Sequence, residues 1–433
     1  MSAHSGAQLG VRRNLGQFVL LLATTAFVGA MVGLERSLLP LIGEEDFGLT
    51  SKTVVLSFIA AFGVAKALAN LSAGAAAQRL SRRRLLISGW AVALPVPLLI
   101  AIAPSWGWVV AANLLLGVNQ GLCWSSTMIM QLDLAGPRQR GFALGLNEAA
   151  GYGGGVAIAA LASGLLAGSL APRTVVAAGG CALACAAFIG VLLLVRDTSP
   201  YVALEQGRRD ASPGQRESAS WRTTFARTAF RDPGSRAICQ GGFAAKVVDG
   251  LAWGLAPLFL SGHGLSKPQI GVVAGLYPAV WGVSQIVTGL WSDRTQRKPF
   301  LIAGMFVQAG GLAVLFGAGA SFGGAMLAAV VLGLGVALVY PVLPAAISDR
   351  SPPATRAAAI GSYRFIRDTG YAAGALVAGV AADLLGYGAA ILIVAGVSAA
   401  SGLWLALELP GHRARSLEVP APPEGPACMR VTP

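Results

Sequence analysis

Lys246, Asp249 and Trp253 follow one another at intervals of three and four residues inside an apolar run, a spacing that stacks them on one helical face. A second apolar run carries Tyr363-Arg364-Phe365-Ile366-Arg367-Asp368-Thr369-Gly370-Tyr371. On a helix, Arg364 lies beside Asp368, and Tyr363, Arg367 and Tyr371 form a second stripe. Arg367 has no acid at helical spacing, and its adjacent neighbour Asp368 is expected to point elsewhere, which makes Arg367 the stronger ligand candidate. Other apolar runs carry Lys66 with Asn70 one turn away, Asn147 with Glu148, and Glu35 at the end of the first run. Lysine and arginine bind carboxylate or phosphate oxygens, and a carboxylate released from its basic partner takes up a proton. The expected ligand groups are therefore Arg367, Lys246, Arg364 and Lys66 with Tyr363, Tyr371 and Trp253, and the expected coupling groups are Asp249, Glu148, Asp368 and Glu35. Four buried bases against Glu148, Asp249 and Asp368, with Glu35 at the margin, leave a slight cationic excess that favours an anionic or zwitterionic solute. Purely structural pairing accounts for the same residues: Arg364 with Asp368, Lys246 with Asp249, and Lys66 with Glu148.

The elements that must position these groups are membrane helices. A chain of 433 residues that is 55% hydrophobic and 12% charged falls well below the roughly 25% charge of soluble domains. Its apolar segments approach the about 20 residues a helix needs to span a bilayer. Twelve are expected, near 15–34, 53–77, 85–103, 107–132, 141–168, 174–195, 237–260, 268–292, 299–317, 324–347, 357–382 and 387–407. An ionisable side chain at that depth costs about 2.5 to 3.5 kcal/mol on insertion scales, so it is expected to face a cavity or a partner.

Basic residues are retained on the cytoplasmic side, and alternate loops hold 24 of the 32 lysines and arginines. Only Arg36, Lys52, Arg173 and Lys267 are expected on the outside. This places both termini in the cytoplasm, and the net charge of +13 reports topology and contact with anionic lipid rather than nucleic-acid binding. The expected organisation is a six-helix bundle over 1–195, a polar cytoplasmic linker over 196–236, a second bundle over 237–407 and a disordered tail over 408–433. Arg12 and Arg13 precede a first helix that is read as uncleaved. Glu44, Glu45 and Asp46 read as a solvated acidic loop. Four of the five cysteines fall inside spans and the fifth in the tail, so neither a disulfide framework nor a zinc pattern is present. No metal or cofactor is expected. Short loops suit a bacterial inner membrane, and a monomer is expected.

The two halves repeat. Gly74, Arg79, Arg82 and Arg83 answer Gly289, Arg294, Arg297 and Lys298 at an offset of 215 residues, and Gly117, Asp133, Pro137, Arg140 and Gly145 answer Gly333, Asp349, Pro353, Arg356 and Gly361 at 216. The pattern Gly289, Asp293, Arg294, Arg297 and Lys298, placed between the second and third spans of its half, resembles the signature of the major facilitator superfamily. In the first half, Gln78 replaces the acid and Ser81 the usual glycine. The resemblance covers residues 12 to 407. It implies an all-α fold of two pseudo-symmetric six-helix bundles, with solute bound between them near mid-membrane and alternating access by rocking of the halves. It further implies that this loop clamps the halves on the cytoplasmic side, more weakly where Gln78 carries no charge. It also implies that span seven, with Lys246 and Asp249, lines the central path.

Gly-Tyr followed by two small residues and Gly occurs at Gly151–Gly155 and at Gly370–Gly374 and reads as close helix packing. The first copy resembles the glycine-rich motif of proton-coupled drug exporters, but Tyr152 stands where those have proline. Span four also lacks the arginine of those exporters. Tyr277-Pro278 and Tyr340-Pro341 mark kinks. The expected function is secondary active transport of a small polar or anionic solute coupled to protons. An exporter of amphipathic drugs is the first alternative, and a non-transporting membrane sensor or assembly partner is the second. An enzyme is not expected, because no outer loop is long enough to build a catalytic cluster.

Overall fold

A computed structural model describes residues 9–76, 81–135, 140–201, 221–292, 294–318, 320–351 and 355–410. The described residues contain helices and turns and no strand. The first half holds α1 (Leu15–Glu45), α2 (Lys52–Ala76), α3 (Arg82–Ala93), α4 (Val96–Ala101), α5 (Trp106–Ala135), α6 (Arg140–Glu148), α7 (Ala157–Leu166) and α8 (Pro172–Leu194). A π-helical segment, Ala149–Val156, joins α6 to α7. After α9 (Trp221–Ala226) in the linker come α10 (Pro233–Gly262), α11 (Lys267–Ser292), α12 (Arg297–Ala318), α13 (Phe322–Val339), α14 (Val342–Arg350) and α15 (Arg356–Glu408).

Ten described helices are long and apolar enough to cross a membrane, with α3 and α4, and α13 and α14, each merging into one crossing. The breaks inside those crossings fall at Pro95 and Pro341, which cannot donate to the preceding turn. α15 bends at Gly386, whose φ of 84° suits only glycine, and so supplies two arms. α5 carries a buried polar stripe that includes Asn113, Asn119, Gln120 and Gln131, which lowers its hydropathy although its 30 residues suffice to span. Counted this way the structure accommodates the twelve expected crossings. The ends of α1 at Leu15 and of α15 at Glu408 share one face, termed here the terminal face; the opposite face is the far face.

One expected boundary moves. α1 runs for 31 residues to Glu45 rather than closing near residue 34, about 46 Å at 1.5 Å per residue. Glu35 and Arg36 therefore lie inside the helix, both only 2% exposed, and not at its end or in an outer loop. The described part of the linker carries a short helix: Trp221 and Phe225 of α9 lie 5.4 Å apart, and Phe225 packs against Phe365 of α15.

The repeat has a physical explanation. Arg82 pairs with Asp133 at 3.1 Å, and its counterpart Arg297 pairs with Asp349 at 2.5 Å. Arg83 donates to the carbonyls of Leu192 and Val195 at the end of α8, and Lys298 to that of Ala406 near the end of α15. Helix C-termini leave carbonyls unpaired and carry partial negative charge. Each basic loop thus ties the third crossing of its half to the fourth and sixth crossings of the same half. The contacts given above for Arg82, Arg83, Arg297 and Lys298 lie within one half each and hold that bundle together. Arg294 is exposed, and a Cβ on Gly289 would lie 3.9 Å from Pro341 of its own half. Gly74 lies in α2, while Gln78, Arg79 and Asp293, like the tail beyond residue 410, lie outside the described residues.

Asp232 caps α10 by accepting from the Ser235 amide at 2.8 Å, and takes the Arg350 guanidinium at 3.0 and 3.2 Å. Partial burial pushes its carboxyl upward, but Arg350 and the Ser235 donors outweigh this and bring it from 3.8 down to about 2. A carboxyl held low in the folded state stabilises the fold above its unfolded value and loses that contribution as pH falls toward 2. Asp232→Asn is therefore expected to flatten the fall in unfolding midpoint between about pH 4 and pH 2, measured on detergent-solubilised protein beside wild type.

Candidate functional site

The charged groups singled out above converge between the two halves. On α10, Lys246 Nζ meets Asp249 Oδ2 at 2.5 Å, with both side chains 1% exposed, as their spacing predicted. Asp249 also accepts from the hydroxyl of Tyr277, the residue before the kink proline of α11. The ammonium of Lys246 lies over four rings, Tyr340 at 4.5 Å, Tyr371 at 4.7 Å, Trp281 at 4.9 Å and Tyr152 at 5.6 Å. Trp253, one turn beyond Asp249, stacks on Tyr371 at 5.8 Å. These contacts offset part of the desolvation of a buried ammonium.

On α15 the pairing differs from that expected. Arg367, not Arg364, holds Asp368: its Nε and Nη2 both lie 2.7 Å from Asp368 Oδ1. Neighbouring Cβ atoms diverge on a helix, but an arginine is long enough to fold back to a carboxylate that is itself turned inward. Asp368 is turned inward because Asn70 of α2 donates to its other oxygen at 2.6 Å across the interface. Arg364 instead points a guanidinium nitrogen at Met128 Sδ, 3.6 Å away on α5. Arg367 lies over Tyr340 and Tyr363 at 5.1 and 5.8 Å, so the predicted stripe with Tyr363 is present.

The expected pair of Lys66 with Glu148 does not form. Glu148 accepts from Trp124 Nε1 at 2.8 Å and its second oxygen has no partner. Lys66, 3% exposed, makes no ion pair among the described residues. Its ammonium lies over Tyr371 at 5.1 Å, Phe62 at 5.7 Å and Trp124 at 6.0 Å. Trp124 therefore stands between the two groups.

Tyr152 was weighed in the sequence only as a departure from an exporter motif. It is the first half's main contribution to the centre, stacking on Trp281 at 3.8 Å with its hydroxyl 3.3 Å from that of Tyr340. The π-helical segment places it there: an extra residue per turn reorients the side chains that follow. The glycines around it act in packing, as expected. A Cβ on Gly151 would meet the Trp124 ring at 2.3 Å, and one on Gly155 the Ala26 carbonyl at 2.0 Å. Tyr340 and Trp281 were likewise missed as site residues, although Tyr-Pro pairs in α11 and before α14 were visible as kinks. An aromatic next to a helix break inside the bilayer is the signal that finds them. Beside Trp253 and Tyr277 lies an apolar recess lined by Ala252, Ala256, Ile270, Ala325 and Leu332.

The halves are sealed toward the far face. Lys267 of α11 pairs with Glu45 of α1 across the halves at 2.7 Å, and Lys52 pairs with Glu44 within the first half, so Glu44 and Glu45 of the expected solvated acidic loop are the last residues of α1 and both are paired. A Cβ on Gly271 would lie 2.6 Å from the Gly164 backbone, so the close approach needs a residue without a Cβ. Asp383 of α15 accepts from Ser51 Oγ at 2.7 Å and from the amides of Lys52 at 2.5 Å and Thr53 at 3.0 Å, capping α2 of the other half. Toward the terminal face the polar contacts described between halves reach Asn70 with Asp368 and Arg364 with Met128. Asp383→Ala, by removing a cap worth about 1 kcal/mol, is expected to shift the population about fivefold toward a state opened on the far face. Spin-label distances across that face check this, and unchanged distance distributions count against it.

The Major Facilitator Superfamily model matches residues 14–248 and 238–428. An uncharacterized MFS-type transporter of Salmonella typhimurium is 25% identical over 380 residues, covering 84% of this chain and 89% of that one. Among solved structures, a human organic anion transporter superposes with a TM-score of 0.67 at 17% identity over 90% of this chain and 99% of its own. A D-xylose-proton symporter gives a TM-score of 0.72 at 14% identity over 92% and 98% of the two chains. A nucleoside transporter gives 0.68 at 14% identity over 90% of this chain and 100% of that one. The family model is thus matched over nearly the whole chain, and this multi-pass membrane protein belongs to the Major Facilitator Superfamily.

Proposed function

We propose that the protein is a secondary active transporter of a small organic anion, coupled to protons and working by alternating access. The observation that carries this reading is the central cluster in which Lys66 remains without a carboxylate partner while Lys246 and Arg367 hold theirs, leaving positive charge where a solute anion binds. Arg367 presents a planar fork suited to a carboxylate, and the Trp253–Tyr277 recess suits an apolar part of the same solute. Asp249 and Asp368 supply the coupling step: an anion that draws Lys246 or Arg367 away leaves the released carboxylate to take up a proton. The far-face seal supports a terminal-face-open arrangement, and rocking of the halves about the Tyr152–Trp281 contact alternates the openings. The basic loops favour a cytoplasmic terminal face, and on this reading the chain works in a bacterial inner membrane as a monomer on a small-molecule solute.

Thermal unfolding in detergent tests the reading, since a ligand that binds only the native state raises the midpoint. A panel of mono- and dicarboxylates, inorganic phosphate, sugars and lipophilic cations is expected to show stabilisation by one anion class. A specific observation favours one alternative: the rings of Tyr152, Trp281, Tyr340 and Tyr371 form a cage of the kind that holds organic cations, now filled by the Lys246 ammonium. Stabilisation by lipophilic cations alone replaces the anion reading with export of amphipathic cations.

A further inference from the structure

Arg36 lies within α1, 2% exposed, with its Nε, Nη1 and Nη2 all lacking a hydrogen-bond partner. Its guanidinium lies 4.4 Å from the centre of the Phe62 ring and 5.0 Å from that of Phe58, both on α2. A buried guanidinium with five N–H donors and nothing to receive them is unfavourable in the fold. The preceding Glu35 accepts no hydrogen bond from it, and Glu35 Oε2 also lacks a partner. Lys66 lies 5.7 Å from the centre of the same Phe62 ring, and Phe62 in turn packs edge-on against Tyr371 at 5.9 Å. Lys66, which also makes no ion pair among the described residues, therefore shares a ring with Arg36.

We propose that Arg36 and Lys66 form an anion subsite in the first half, taking carboxylate or phosphate oxygens of the transported solute. The proposal rests on the anion reading above and adds Arg36 to Lys66 as a ligand residue on the half opposite to Arg367. Arg36 supplies the unused donor fork and Lys66 the second charge, with the Phe62 ring adjoining both. From there the bases alternate with rings toward the terminal face: Lys66, Tyr371, Lys246, Tyr340, Arg367 and Tyr363. The first-half subsite differs from the second-half site in that neither of its bases is neutralised by a carboxylate contact. A solute bearing two anionic groups is the class that engages both, one group at Arg36 and Lys66 and the other at Arg367.

The test uses full-length protein in detergent and thermal unfolding with acetate, succinate and inorganic phosphate, comparing wild type with Arg36→Gln, Arg36→Lys and Lys66→Gln. Because Arg36 makes no hydrogen bond, Arg36→Gln is expected to raise the unfolding midpoint without ligand. The stabilisation by succinate is expected to fall at least tenfold in apparent affinity in Arg36→Gln and Lys66→Gln, and to be partly kept in Arg36→Lys. A structural arginine gives the opposite sign, a lower midpoint without ligand and unchanged affinity, and that result overturns the subsite. Should Arg36→Gln fail to purify, affinity in Lys66→Gln equal to wild type overturns it just as well. The anion reading fails separately, by absence of anion stabilisation in wild type.

Discussion

Asp249→Asn, which leaves Lys246 buried without its carboxylate, is expected to lower stability by about 3 to 5 kcal/mol and to abolish solute uptake. Both side chains of this pair are 1% exposed, so the loss of one charge is not screened by water. Breaking such a pair is far worse than replacing it: a buried ion pair exchanged for apolar groups of similar volume is often neutral or stabilising. Lys246→Met combined with Asp249→Leu is therefore expected to recover an unfolding midpoint close to wild type while uptake stays absent. That divergence separates structure from function. If the double variant recovered uptake as well as stability, Lys246 and Asp249 would be a structural pair and the coupling role would move elsewhere.

Arg367→Ala carries the second large effect. It removes the fork that holds Asp368 and, on the proposed reading, contacts the solute, and truncating one member of such a buried pair costs about 2 to 5 kcal/mol of binding. Anion affinity is expected to fall at least about thirtyfold, with the ligand-induced rise in unfolding midpoint lost. Arg367→Lys keeps the charge but not the two parallel donors, so intermediate affinity is expected. Asp368→Asn separates the roles: it leaves Arg367 free for the anion, and binding is expected to persist while its dependence on pH weakens. Equal loss of anion binding in Asp368→Asn and Arg367→Ala would mean that the pair matters only for architecture.

The sequence made the architecture legible for physical reasons that particular residues show. Twelve apolar runs follow from the need to satisfy every backbone polar group in lipid. The doubled pattern around Arg82 and Arg297 was visible as recurrence, and the structure shows that its echoes pair with each other, Arg82 with Asp133 and Arg297 with Asp349. Lys246 and Asp249 were legible because three residues on a helix bring side chains together. Arg36 was not. A Glu-Arg dipeptide near the end of an apolar run reads as a helix end facing water, and hydropathy along one chain cannot distinguish that from a charge enclosed by other helices. Arg367 with Asp368 was misassigned because helical spacing describes Cβ directions and not the reach of an arginine, while the Asn70 contact that turns Asp368 inward comes from 298 residues away. Tyr152 was hidden for a third reason. Its direction depends on a π-helical turn, which four glycines permit but no periodicity announces.

Uptake into proteoliposomes under an imposed proton gradient is the most direct measurement of the central claim. Wild-type protein is expected to accumulate the stabilising organic anion uphill when the gradient runs in the same direction. Related anions should compete, collapse of the gradient should stop accumulation, and Arg367→Ala should move none. Movement of a sugar or a lipophilic cation by wild type and Arg367→Ala alike, with no anion flux in either, would contradict an anion site built on the buried bases.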